Sequence, residues 1–151
     1  MKIRHVLQSM VMATVLVSGM ANADSDPEFL NSGAVLPTNL PFSEVVVVGD
    51  MLFLSGQIGN MPGTLTLAEG GVEAETRQVM ENIKTSLEAN GFAMTNLVKC
   101  TVMLADIKEW GAFNDVYKTY FEAGRFPARA AFGANGLAVG AKVEVDCVGA
   151  K

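Results

Sequence analysis

The sequence predicts an α+β domain, one sheet with two helices on a single face. Three observations carry this. Short apolar stretches alternate at a period of two, two longer stretches place apolar residues at helical spacing, and together they run strand, strand, helix, strand, helix, strand, strand. A chain of 151 residues is long enough for one such core and shows no internal repeat or low-complexity tract.

Residues 43–48 and 51–58 are rich in Val, Leu and Phe and are separated by Gly49-Asp50, the turn signal of a hairpin. Residues 71–90 set Val72, Val79, Met80, Ile83 and Leu87 on one helical stripe, with Glu73 four residues before Arg77 and Gly91 as the stop. Alternation returns over 97–105, with Val98, Cys100, Val102 and Leu104 on one side and Leu97 and Met103 on the other. Asp106 then caps a second helix, its buried stripe formed by Trp110, Phe113, Tyr117 and Phe121 and its end set by Gly124. Two more strands are expected near 128–134 and 141–149. Val45 to Val48 is apolar at every position, and strands apolar on both faces need cover on both. With both helices on one side, a second copy of the chain is the simplest cover, so a homo-oligomer packed through the sheet is expected.

Residues 24–40 carry Pro27 and Pro37 among Asn, Ser and Gly and read as an irregular arm, leaving 41–151 as the folded domain. Residues 1–23 have a basic start, an apolar stretch interrupted by Gln8, Ser9 and Thr14, and the run Ala21-Asn22-Ala23. That is the pattern of a secretory signal peptide, with cleavage expected after Ala23 and a periplasmic or secreted product. The apolar stretch is too short and too broken to span a bilayer, so no membrane attachment is expected after cleavage.

Cleavage would remove Lys2 and Arg4 from the 11 basic residues and none of the 16 acidic ones, taking the formal charge from −5 to −7. Such a domain repels nucleic acid unless it carries a local basic patch, and no Lys/Arg cluster is present. His5, the single histidine, would leave as well, which excludes histidine general bases, Ser-His-Asp and Cys-His pairs and His-containing zinc sites. Cys100 and Cys147 lie in apolar alternating segments that suit buried thiols; export would permit a bridge, but the sequence favours two separate thiols.

What remains for chemistry is Arg129, just after Phe126-Pro127, and Glu144, flanked by Val143 and Val145. An arginine and a carboxylate in apolar strand surroundings are costly unless paired or used. Glu144 shares a strand face with Asp146, read as a solvated carboxylate, while Val143, Val145 and Cys147 face the helices. Burial would raise the Glu144 pKa and a nearby Arg129 would lower it; the sequence leaves the winner open.

The segments Pro41-Phe42-Ser43, Phe53-Leu54-Ser55-Gly56-Gln57-Ile58, Asn114-Asp115-Val116-Tyr117, Phe126-Pro127-Ala128-Arg129 and Val143-Glu144-Val145, in this order and spacing, resemble the signatures of the RidA/YjgF family of reactive-intermediate deaminases. The resemblance runs from about residue 40 to the end of the sequence. It implies a chorismate-mutase-like subunit and a homotrimer with clefts between subunits. It implies hydrolysis of 2-imino acids, such as 2-iminobutanoate and 2-iminopropanoate, to 2-oxo acids and ammonia without cofactor or metal.

By the same resemblance Arg129 holds the substrate carboxylate, a task suited to a planar two-pronged donor. Glu144 positions or activates the attacking water. Phe42, Ser55, Gly56, Asn114 and Ala131 line the pocket, with Gly56 letting a ligand approach the backbone closely. Two of these depart from the family pattern: Phe42 stands where tyrosine is common, and Ala131 where many members have cysteine. A phenol or thiol at those positions is therefore not available, although the backbone N–H of residue 131 remains for carboxylate binding. The main alternative is a non-catalytic trimer that binds small carboxylates in the periplasm; endoribonuclease and chaperone-like activities rank below it.

Overall fold

The computed structural model describes residues 26–151, so the expected signal peptide and its cleavage point lie outside the described residues. Six strands form one sheet in the order β1-β2-β3-β6-β4-β5. They are β1 (Glu28–Leu30), β2 (Val45–Val48), β3 (Met51–Ile58), β4 (Leu97–Leu104), β5 (Ala128–Gly133) and β6 (Val143–Ala150). Two helices, α1 (Gly71–Ala89) and α2 (Trp110–Tyr117), cross over one face. β4 and β5 are parallel, a pairing that no tight turn can make, and α2 lies in the crossover between them. Every other neighbouring pair is antiparallel.

The α+β reading therefore holds, and the core lies where the periodicities placed it. Val79, Met80, Ile83 and Leu87 of α1 are fully buried, as are Val45, Leu52, Val102, Leu104, Val143 and Val145 on the facing side of the sheet. In β6, Val143, Val145 and Cys147 are buried while Glu144 and Asp146 point to the bare face. Among the described residues, no helix is long and apolar enough to cross a membrane.

Several local expectations need correction. The arm is not irregular throughout: residues 28–30 pair with β2 as an edge strand, Phe29 opposite Val46. Pro27 is compatible with this because it precedes an edge strand, where a missing N–H breaks no ladder. In β4, Leu97 is buried and Val98 is 46% exposed, the reverse of the alternation. The cause is a bulge. Leu97 pairs with Gly149 and Lys99 with Val148, so Val98 is an extra residue that shifts the parity of the strand.

The second helix stops at Tyr117 and tightens into a 3-10 turn over Lys118–Tyr120 rather than running to Gly124. Thr119 Oγ1 donates to the Val116 carbonyl at 2.7 Å, the local hydroxyl competition that weakens helix interiors. Trp110, expected in the buried stripe, is 46% exposed. Asp106 does act as a cap, accepting from Lys108 N at 2.9 Å, but of the 3-10 turn that leads into α2.

Finally, Cys100 and Cys147 form a disulfide instead of two separate thiols. The two residues are directly opposite on β4 and β6, a register that positions 47 apart in the chain cannot reveal. Closing a loop of that length stabilises a fold by up to about 4 kcal/mol in the chain-entropy treatment.

Candidate active site

The carboxylate half of the site is built by a second bulge. Leu54 pairs with Cys147 and Gln57 with Val145, so β3 spends three residues where β6 spends two. The parity of β3 changes across Ser55-Gly56: Leu52 and Leu54 face the core before the bulge, and Gln57 faces it after. Ser55 and Gly56 are thereby turned to the bare face, beside Glu144, which pairs with Ile58. A Cβ on Gly56 would collide with Glu144 Oε1. The missing side chain makes room for the Glu144 carboxyl. Ser55 Oγ donates to the Ser43 carbonyl at 2.6 Å, fixing the segment that carries Phe42.

Phe42, Ser55, Gly56 and Glu144 line a cleft of about 360 Å³. Its remaining walls include Leu36, Leu40, Leu65 and Val139. No side chain or backbone group donates a hydrogen bond to the Glu144 carboxyl among the described residues. Burial pushes its pKa up from the ordinary glutamate value, and the neighbouring Asp146 charge pushes it further.

Arg129 is elsewhere. It pairs with Cys100, on the helix-covered side of the sheet, and its guanidinium carbon lies 4.6 Å from the Tyr117 ring centroid, 5.5 Å from Phe113 and 5.9 Å from Trp110. These cation–π contacts hold the charge without using its N–H groups. The guanidinium makes no hydrogen bond or ion pair among the described residues, so its donors are free. It lines a second cleft, of about 330 Å³, with Asn114, Tyr117, Lys118, Phe126 and Pro127.

Ala131 lies two residues further along β5, its side chain packed at the border of the core. Ala134 N donates inward to the Leu104 carbonyl. By strand alternation the N–H of residue 131 points the opposite way, to the free edge beside Arg129.

The structure thus groups Phe42, Ser55, Gly56 and Glu144 in one cleft and Arg129 and Asn114 in another, on opposite faces of the sheet. The expected influence of Arg129 on Glu144 does not occur within one protomer; burial decides the direction. Tyr117 is a site residue that sequence periodicity assigned only to packing. It is buried under Arg129 with its hydroxyl unpartnered. Burial raises its pKa while Arg129 opposes the shift. Its signal was present in the string Asn114-Asp115-Val116-Tyr117. Leu36, Leu65 and Val139 had none.

A single sheet with both helices on one face is the fold this chain shares with RidA-type structures. The sequence matches the family described as Endoribonuclease L-PSP over residues 33–151, and the chain belongs to that family. It is 44% identical over 108 residues to the 2-iminobutanoate/2-iminopropanoate deaminase of Capra hircus, covering 72% of this chain and 78% of that one. The Homo sapiens protein of the same name is 42% identical over 108 residues, with the same coverage. Among solved structures, RidA from the Antarctic bacterium Psychrobacter is similar with a TM-score of 0.73 and 32% identity, over 82% of this chain and 98% of that chain.

Proposed function

We propose that this protein hydrolyses 2-imino acids and their enamine tautomers to 2-oxo acids and ammonia, at a site completed by two copies of the chain. The observation that carries the reading is the separation of two unspent groups. Arg129 presents a partner-free guanidinium in one cleft, and Glu144 presents a donor-free carboxyl of raised pKa in the other. Neither half can hold and hydrolyse an imino acid alone.

In the assembled site Arg129 of one copy binds the substrate carboxylate through both oxygens. The edge N–H of Ala131 and the Asn114 side chain supply further polar contacts. Glu144 of the neighbouring copy takes a proton from water as the water oxygen bonds to the imine carbon. The C=N electron pair moves to nitrogen, which is protonated. Collapse of this carbinolamine forms the C=O bond and expels ammonia, the hydroxyl proton passing to the leaving nitrogen through Glu144. One water is consumed and no electrons are transferred. The raised pKa suits this double use, because a group poised between its two forms can both accept and return a proton.

The bare sheet face supports assembly. Phe29, Val48, Met51, Phe53 and Phe132 are all exposed there, and large apolar side chains gathered on one sheet face are the usual mark of a protein–protein contact. A trimer with head-to-tail contacts covers this face and brings each Arg129 to a neighbour's Glu144.

The test is complementation. Arg129→Ala should cost on the order of 2–5 kcal/mol in binding of 2-oxobutanoate. Each of Arg129→Ala and Glu144→Gln should be nearly inactive on imines generated in situ by an amino-acid oxidase. Co-assembled in equal amounts, they should recover up to about a quarter of the wild-type sites, the statistical share for a heterologous ring. Mixed oligomers as inactive as either parent would overturn the shared site.

A further inference from the structure

The wall of the Glu144 cleft suggests which imino acids the protein takes. The inference rests on the hydrolase reading above and goes beyond it to the substrate side chain. With the carboxylate held by Arg129 and the reacting carbon above Glu144, the substrate's side chain faces the remaining surface. That surface is Leu36, Leu40, Leu65 and Val139, with Phe42 beside it. The Ser55 hydroxyl proton is already given to the Ser43 carbonyl, so it cannot be donated to a polar side chain. In one protomer the cleft measures about 360 Å³, and its walls are mainly apolar side chains.

Val139 adds an independent observation. It is the one non-glycine with positive φ among the described residues, at φ 50° and ψ 19°. A β-branched residue is strongly disfavoured in that region. Gly136 and Gly140 nearby take positive φ without strain, so glycine would suit position 139 better on backbone grounds. The side chain is 56% exposed, so core burial does not account for it, yet it lines the cleft, as does Leu65, which is 59% exposed.

We propose that Leu36, Leu40, Leu65 and Val139 form a side-chain subsite that selects imino acids with branched or long apolar side chains, such as those derived from leucine or methionine, over those from alanine. Val139 is its specificity-determining residue.

The measurement is kcat/KM of the full oligomer on imines generated by an oxidase from L-leucine, L-methionine and L-alanine, scored against semicarbazide trapping. Calorimetry of 4-methyl-2-oxopentanoate and 2-oxopropanoate runs in parallel. The leucine-derived imine should be favoured by about tenfold or more, the scale of extra methylenes in an apolar pocket. V139G should lower that ratio severalfold without lowering the melting temperature. L65S should lower the ratio as well. Equal rates on all three imines, or a ratio unmoved by both variants, would overturn the subsite while leaving imine hydrolysis intact. No turnover of any imine, with 4-methyl-2-oxopentanoate still bound tenfold tighter, would support the subsite and refute the hydrolase reading instead.

Discussion

Glu44, just before β2, and Glu144, in β6, are chemically identical side chains whose carboxyls are both withdrawn from water. Their proton affinities move in opposite directions. Burial tends to raise the Glu44 pKa, but hydrogen bonds from Ser32 Oγ, Ser86 Oγ, Ser32 N and Asn90 outweigh it and hold the group below the ordinary glutamate value. The donors lie at 2.6, 2.5, 2.8 and 3.3 Å respectively. Glu144 receives no such donors, and burial carries it upward. The difference teaches that the donor set, not depth alone, separates a structural carboxylate from a reactive one. Glu44 ties the N-terminal arm to α1. Glu144 keeps its lone pairs for a water.

The largest expected effect is on turnover at the undonated carboxylate. Glu144→Gln should lower imine hydrolysis by roughly 10² to 10⁴-fold, the scale of general acid–base catalysis. It should leave the melting temperature unchanged or higher at neutral pH, because it removes an ionisable group that folding disfavours. Wild-type turnover from an intact oligomer would show that Glu144 does not activate water.

The donated carboxylate should behave in the reverse manner. Glu44→Gln keeps the shape but loses charge-assisted hydrogen bonds, and should cost on the order of 1.5–3 kcal/mol of stability. Thermal unfolding reads this as a drop of several degrees in Tm. If the variant unfolds with the wild type, the Ser32–Ser86–Asn90 cluster contributes nothing.

The smallest effect, and the one that sharpens the contrast, is its pH dependence. Glu44 has a depressed folded pKa, so its stabilisation is present above the unfolded carboxyl pKa and is lost as pH falls through the folded value. Glu144 has a raised folded pKa, so its contribution is full below the unfolded pKa and is lost as pH rises through the folded value. The stability gap between wild type and Glu44→Gln should therefore narrow on acidification. Wild type should lose stability relative to Glu144→Gln as pH rises above the ordinary carboxyl range. Chemical denaturation across pH 3 to 8, a span chosen to bracket ordinary glutamate titration, would show both trends or refute the assignment.

Much of this was legible in the chain. Val79, Met80, Ile83 and Leu87 announced α1 because helical burial repeats at a fixed short interval, and Val143, Val145 and Cys147 announced the buried face of β6 for the same reason at a period of two. The two bulges were not legible. A single extra residue at Val98 or at Ser55-Gly56 is defined only by the partner strand opposite it, and each reversed the facing of what followed. Glu44 carried no sequence signal of its role, because its donors Ser32, Ser86 and Asn90 are 12, 42 and 46 residues away.

By itself the sequence determined the α+β order, the family and the identity of Arg129 and Glu144 as the residues to watch, since these depend on local periodicity and on short strings in fixed succession. Tertiary structure alone decided that Cys100 meets Cys147, that Gly56 is glycine because the Glu144 carboxyl occupies its side-chain space, and that Arg129 and Glu144 face opposite sides of one sheet. The physical reason is common to all three. Strand register and strand order set which distant residues share a face, and neither is encoded by the spacing of residues within a strand.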